Sequence, residues 1–199
     1  PWGLKDKSRS NQYSIGNVIP HIYMNMVKSS AESAQYVASF RNPENIQSTK
    51  KTENLHPTGS NFALAAYTLY INEKGIFDRM KDTYFDIMEE VNGLSPELVG
   101  HKDVTVEISE EGRDDSFRLS EISSGHKEIL VLLAGIAMAE AYSDFLLIEE
   151  PELHLHPEAE RRLGKLLEEV SENEGPQIIL STHSDIFVNR GDVENILSA

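Results

Sequence analysis

Residues 145–157 read FLLIEEPELHLHP. Four apolar residues run straight into Glu149 and Glu150, and Pro151 follows at once. Adjacent carboxylates repel, so such a pair at the end of a buried strand calls for a cation or a shared proton. The flanks give the strand its setting. A mostly apolar helix is expected over about 125–142, and a second helix over 158–173 carries Leu163, Leu166, Leu167 and Val170 on one face. PQIIL (176–180) is another apolar strand. Helix, buried strand, helix, buried strand is the rhythm of a parallel α/β sheet, whose strands are covered on both faces.

In such sheets ligands collect beyond the carboxyl ends of the strands. Here those ends carry Glu149-Glu150 and Ser181-Thr182-His183-Ser184. If the two strands are neighbours, carboxylates, an imidazole and hydroxyls share one crevice. One carboxylate then suits the water shell of Mg²⁺, which prefers oxygen ligands and keeps much of its hydration. The other can orient an attacking water, and the histidine can touch a phosphoryl oxygen. The plainer alternative is a solvated strand end beside a loop histidine.

A third element, EISSGHKE (121–128), lies at the mouth of the apolar helix. Small residues there leave backbone amides open, and the helix dipole favours an anion such as phosphate. Ser123 and Ser124 add hydroxyl donors. The competing reading is an ordinary serine N-cap.

The remaining chain is organised differently. PWGLKDKSRSNQ (1–12) is polar and expected to be loose. YVASF (36–40) reads as a strand stopped by the turn cluster RNPEN. STKKTENLHPTGSN (48–61) is a polar loop, with Ser60 or Asn61 placed to cap the next helix. Two helices are expected, the second over 75–91 through Ile76, Met80, Tyr84, Ile87 and Val91, ended by NGLSP. VTVEI (104–108) and SFRLS (116–120), joined by SEEGRDD, make a hairpin. Residues 46–125 therefore form a separate, helix-rich lobe.

Composition narrows the classes. With no cysteine, disulfides, thiolate metal sites and cysteine catalysis are excluded, which fits a cytoplasmic location. ILVLLAGIAMA (129–139) is too short to span a bilayer and reads as a core helix. No leader or lipidation pattern is read at the start, and an opening on Pro1 suggests a fragment. Residues 1–100 hold 11 acids and 10 bases, a net of −1, whereas 101–199 hold 22 and 8, a net of −14. So acidic a half is a poor partner for phosphate backbones, and nucleic acid would have to be met by another region.

ISSGHKE, FLLIEEPELHLHP and IILSTHS together resemble, in order and approximate spacing, the signature motif, Walker B with D-loop, and switch histidine of ABC-class ATPases. The form is similar to the RecF, SMC-like and OLD-family branch. The resemblance is strong over about 119–190, and weaker over 36–118, where YVASFR and LHPTGSN look like the middle of such proteins. It implies a partial P-loop NTPase sheet with a helix-rich signature lobe and a β-hairpin. By position, residues 1–45 would be the trailing edge of the ATP-binding lobe, 46–130 the signature lobe, and 131–199 the return to the core sheet. It implies that Ser123 and Gly125 meet the γ-phosphate of an ATP held by the opposing protomer of a homodimer, with Ser124 beside them in the nucleotide-binding set. Glu149 would hold the Mg²⁺ water shell, Glu150 would polarise the attacking water, and His183 would sense the γ-phosphate. The D-loop, with His154 and His156, would cross the dimer interface; a zinc site from these two and Glu152 lacks a fourth ligand. Gln47 is the best candidate for the Q-loop glutamine, with Gln35 second.

The sequence departs from that pattern at Ser124, at His126 (the signature's glutamine position), and at Glu149 in place of the usual aspartate. No G-x-x-x-x-G-K-[ST] occurs, so the main phosphate grip is expected upstream, and this chain alone is expected to be inactive. The alternative function is a non-catalytic regulatory or interaction domain that kept the fold. Retention of Glu150 and His183 argues against it.

Overall fold

The structure is a computed structural model, and it describes residues 34–44, 47–48, 52–101, 103–172 and 175–188. The expected loose stretch 1–12 lies outside them. Strands β1 (Ala34–Val37), β6 (Phe145–Glu149) and β7 (Gln177–Ser181) form a parallel sheet in the order β1-β6-β7. Between them in sequence, β2 (Gln47–Ser48), β3 (Val91–Val99) and β4 (Asp103–Glu110) make an antiparallel sheet in the order β2-β4-β3, and β5 (Ser116–Arg118) also pairs with β4. Five helices complete the described fold: α1 (Phe62–Asn72), α2 (Lys74–Ile87), α3 (Ser124–Tyr142), α4 (Pro157–Glu172) and the short α5 (Asp185–Val188).

Helix α3 is the axis of the core. Every residue from Ile129 to Ala139 is buried, so the helix is covered all round rather than on one stripe. It packs on α1, α2, β1 and β6. Gly135 lets it approach β1, since a Cβ there would stand 2.2 Å from Val37 Cγ2. The amphipathic α4 buries Ala159, Leu163, Gly164, Leu166, Leu167 and Val170, and packs against α2 and β7. Strand β6, the middle of the parallel sheet, buries Leu146, Leu147 and Ile148 completely. β7, paired on one side only among the described residues, has Ile178 to Leu180 half-buried.

The hairpin of β4 and β5 forms as its alternation predicts, with Ile108 opposite Phe117. Three expectations need correction. The first strand ends at Val37 rather than at 40, because the Ala38 amide turns to Pro57 O at 2.9 Å and the Ser39 amide faces the Glu149 carboxylate. Helix α2 stops at Ile87, and Val91 opens a nine-residue strand. NGLSP is therefore strand, not terminator. A register shift between Val91 and Gly93 absorbs the glycine, and Pro96 is tolerated opposite Val106 because β3 is an edge strand. Asn61 does occupy the N-cap position of α1, but its side chain turns back into the loop, accepting from His56 N and donating to Asn54 O. The middle of the chain thus carries a full antiparallel sheet beside its helices.

Candidate functional site

Parallel pairing brings the polar strand ends together. Glu149 is the register partner of Ser181, and the Glu150 amide donates to Ser181 O at 2.9 Å. His183 follows two residues on, with Nε2 3.9 Å from Glu150 Oε1. The histidine is largely exposed and Glu150 half-buried, so the pair faces open solvent. Glu149 lies on the same edge, where its Oε2 accepts the Ser39 amide at 3.4 Å.

The turn that follows is unusual. Glu150 has φ +43° and His154 has φ +62°, left-handed values that favour glycine. Two such residues in five signal a conformation imposed by its surroundings, a pattern common at functional sites. Leu153 N donates to Glu150 O at 3.1 Å and Leu155 N to Glu152 O at 2.9 Å, which closes the turn. Glu152 Oε1 accepts the His183 amide at 2.6 Å, joining the turn to the end of β7. His154 Nε2 lies 3.9 Å from Glu128 Oε1 on α3, while His156 Nδ1 accepts the Glu158 amide at 3.5 Å. Glu152, His154 and His156 thus have three different partners, and among the described residues no group of three His, Asp or Glu side chains is arranged to hold a metal ion.

Beneath the acids sits a residue that sequence reasoning missed. Arg41 is 5% exposed, and its Nη2 donates to Glu149 O at 2.7 Å and to Glu150 O at 3.3 Å. Burial pulls its pKa down, and the charges of Glu128, Glu152, Glu149 and Glu150 oppose that shift. A cation placed directly after an apolar strand, in a sheet whose next strand ends in two acids, was the available signal. By itself RNPEN reads as a turn.

At the mouth of α3, Ser123 is the N-cap and its hydroxyl accepts the His126 amide at 3.4 Å. The ordinary capping role is therefore present in this chain, and an exposed hydroxyl does not preclude a second role. Ser124 is exposed as well, and a Cβ on Gly125 would meet only Ser123 Oγ, at 3.9 Å, so this surface is open to an approaching group. His126 turns inward: Tyr84 OH lies 2.8 Å from its Nδ1, and Glu90 Oε1 lies 3.2 Å from its Nε2. With Nε2 protonated toward the carboxylate, Nδ1 accepts from the tyrosine. Among the described residues no hydrogen bond joins Ser123, Ser124 or Gly125 to Glu149, Glu150 or His183.

The glutamine candidates separate. Gln35 is buried and braces a loop, donating to Leu55 O and accepting from Leu55 N, each at 2.9 Å. The backbone of Gln47 pairs with Val104 in the antiparallel sheet, and its side chain lies outside the described residues.

The donor set fits magnesium. Glu149 spends one oxygen on a long contact to an amide, and an ion held chiefly by phosphates and water needs one or two protein carboxylates. A second carboxylate beside an imidazole, at the common end of two parallel strands, is suited to orient water against a phosphoryl group.

A parallel sheet with acids and an imidazole at its shared strand ends fits the α/β domain of an ATPase. The chain belongs to the family described as "AAA domain, putative AbiEii toxin, Type IV TA system", whose model matches residues 28–189. A stretch of 47 residues is 53% identical to the OLD nuclease of Thermus scotoductus strain SA-01, covering 23% of this chain and 9% of that protein. The SMC head domain from Thermotoga maritima is similar at 25% identity and a TM-score of 0.44, over 66% of this chain and 44% of that one. An Smc head bound to the C-winged helix domain of ScpA is similar at 20% identity and a TM-score of 0.47, with the same coverage. The chain thus spans 9% of the length of this curated relative. No helix among the described residues is long and apolar enough to cross a membrane.

Proposed function

We propose that the protein carrying this chain binds ATP between two protomers and hydrolyses it, in a DNA-repair, phage-defence or related non-transporter role in the cytoplasm. Glu150 is the general base, His183 contacts the γ-phosphate, and Ser123, Ser124 and Gly125 meet the nucleotide of the opposing protomer. Gln47 is kept as the Q-loop candidate. Glu149 holds the water shell of Mg²⁺, which neutralises phosphate charge. Two copies meet through their signature and D-loop faces, and any nucleic acid is bound by other regions. The division into an ATP-binding edge (1–45), a signature lobe (46–130) and a core return (131–199) belongs to the same reading.

The observation that carries the reading is the 3.9 Å approach of His183 Nε2 to Glu150 Oε1 at the shared end of two parallel strands. A decayed site has no physical need to keep a left-handed glutamate beside an exposed imidazole. The phosphate-cradling loop G-x-x-x-x-G-K-[ST] is not in this sequence, so the 199-residue chain by itself neither holds ATP tightly nor turns it over.

The deciding experiment compares Glu150→Gln and Glu149→Gln in the full-length protein. Glu150→Gln keeps nucleotide affinity and slows single-turnover hydrolysis by about 10²–10⁴-fold, the usual worth of a general base. Glu149→Gln weakens Mg²⁺-dependent binding itself. Wild-type turnover in Glu150→Gln refutes the assignment.

A further inference from the structure

We infer that Arg41 is a positioning residue: its guanidinium holds the peptide turn at Glu149–Glu150 and so aims the Glu150 carboxylate at the water next to His183. The inference rests on reading Glu150 as the base. Each main-chain polar group of Glu150 is held. Its amide donates to Ser181 O at 2.9 Å, and its carbonyl accepts from Leu153 N at 3.1 Å and from Arg41 Nη2 at 3.3 Å. The same Nη2 holds the preceding carbonyl at 2.7 Å. A glutamate at φ +43° persists only where the surroundings over-determine it, and Arg41 reaches this turn from the segment that follows β1.

Charge is the second half of the argument. An uncharged donor would bond two carbonyls without the cost of burying a guanidinium. Arg41 instead feels the charges of Glu128 on α3, Glu152 in the turn, Glu149 at the end of β6 and Glu150 beside it. One buried cation therefore opposes the mutual repulsion of four carboxylates, two of which the proposed chemistry needs ionised. Both bonds come from the one nitrogen Nη2, and lysine is not equivalent because its Nζ ends one bond nearer the backbone and does not reach the same point.

Two variants test this, Arg41→Lys, which keeps the charge and shortens the reach, and Arg41→Met, which keeps the apolar stem only. In the 199-residue chain, amide hydrogen exchange reads the turn without nucleotide. Arg41→Lys should speed exchange at Glu150, Leu153 and His183 by about tenfold or more, with Val106 and Ile108 in β4 changed by less than about twofold, as local opening requires. Arg41→Met should exceed it at the same amides. Unchanged exchange at the turn overturns the inference. Equal acceleration in both sheets, or failure of both variants to fold, also overturns it, because Arg41 would then be a general core support. In the full-length protein, Arg41→Lys should lower kcat about tenfold or more and leave KM for ATP within about threefold. An active wild type with unchanged kcat in Arg41→Lys defeats the positioning role alone. An inactive wild type defeats the ATPase reading, and the exchange data still decide whether Arg41 holds the turn.

Discussion

Glu152 Oε1 accepts the backbone amide of His183 at 2.6 Å, which ties the turn after β6 to the end of β7. The third acid of the EEPE run thus holds the backbone of the loop after β7. It sets where the histidine stands.

That contact separates two substitutions at one position. In Glu152→Gln the amide oxygen still accepts from His183 N, so turnover in the full-length protein should stay within about threefold of wild type. Glu152→Ala removes the acceptor, and hydrogen bonds to charged groups are worth about 1.5–3 kcal/mol. At about 1.36 kcal/mol per decade, kcat should fall roughly 10- to 100-fold. Steady-state kinetics on both variants check this, and a larger loss in Glu152→Gln than in Glu150→Gln would move the base to Glu152.

Ser123→Arg should abolish ATP-driven dimerisation while each protomer keeps its own nucleotide affinity. The hydroxyl lies on an exposed helix mouth beside an open Gly125, where an arginine leaves no room for close approach. Helix α3 should survive, since losing an N-cap costs about 1 kcal/mol. Sizing chromatography with and without ATP reads the outcome.

The Tyr84–His126–Glu90 chain should be worth measurable stability. Truncating His126 to Ala leaves the Tyr84 hydroxyl, on a fully buried ring, without its partner, at a cost of about 1–3 kcal/mol. Adding Tyr84→Phe should recover part of the loss, a coupling that urea melts of the four proteins resolve. Burial, with the charges of Glu90 and Glu110, also pushes the Tyr84 pKa up. The unfolded tyrosine then ionises first, so its contribution is fully present below about pH 10 and declines as pH rises further. Tyr84→Phe should therefore lose less stability than wild type above about pH 10.

Gly135→Ala should destabilise the protein despite alanine's better helix propensity. The added methyl would stand 2.2 Å from Val37 Cγ2, inside the contact between α3 and β1. Overpacking of this kind costs about 1–3 kcal/mol, against about 1 kcal/mol gained in propensity. The net loss, roughly 0–2 kcal/mol by these figures, appears as a lower denaturation midpoint.

Much of this protein is local in its sequence. The parallel strands announce themselves because a strand covered on both faces must be apolar throughout, as FLLI is, and the α3 core helix for the same reason. The hairpin at 103–118 and the amphipathic α4 follow from period-two and helical spacing. The order of three short motifs also pointed to the family to which the chain belongs. What could not be read locally depends on neighbours distant in the chain. NGLSP looks like a stop signal until β3 is known to be an edge strand, where a proline's missing amide costs no ladder bond. Ser39, Arg41 and Glu128 are unremarkable in their own segments. They matter because parallel pairing sets β1 beside β6, bringing the Arg41 guanidinium to the carbonyls of Glu149 and Glu150 and into the field of four carboxylates, Glu128 on α3 among them. Residue types and spacing determine which chemistry is available, since burial and periodicity are properties of a segment. Only tertiary structure decides which backbone carbonyls and charges lie within a few ångströms of one another, because those distances are set by elements more than a hundred residues apart.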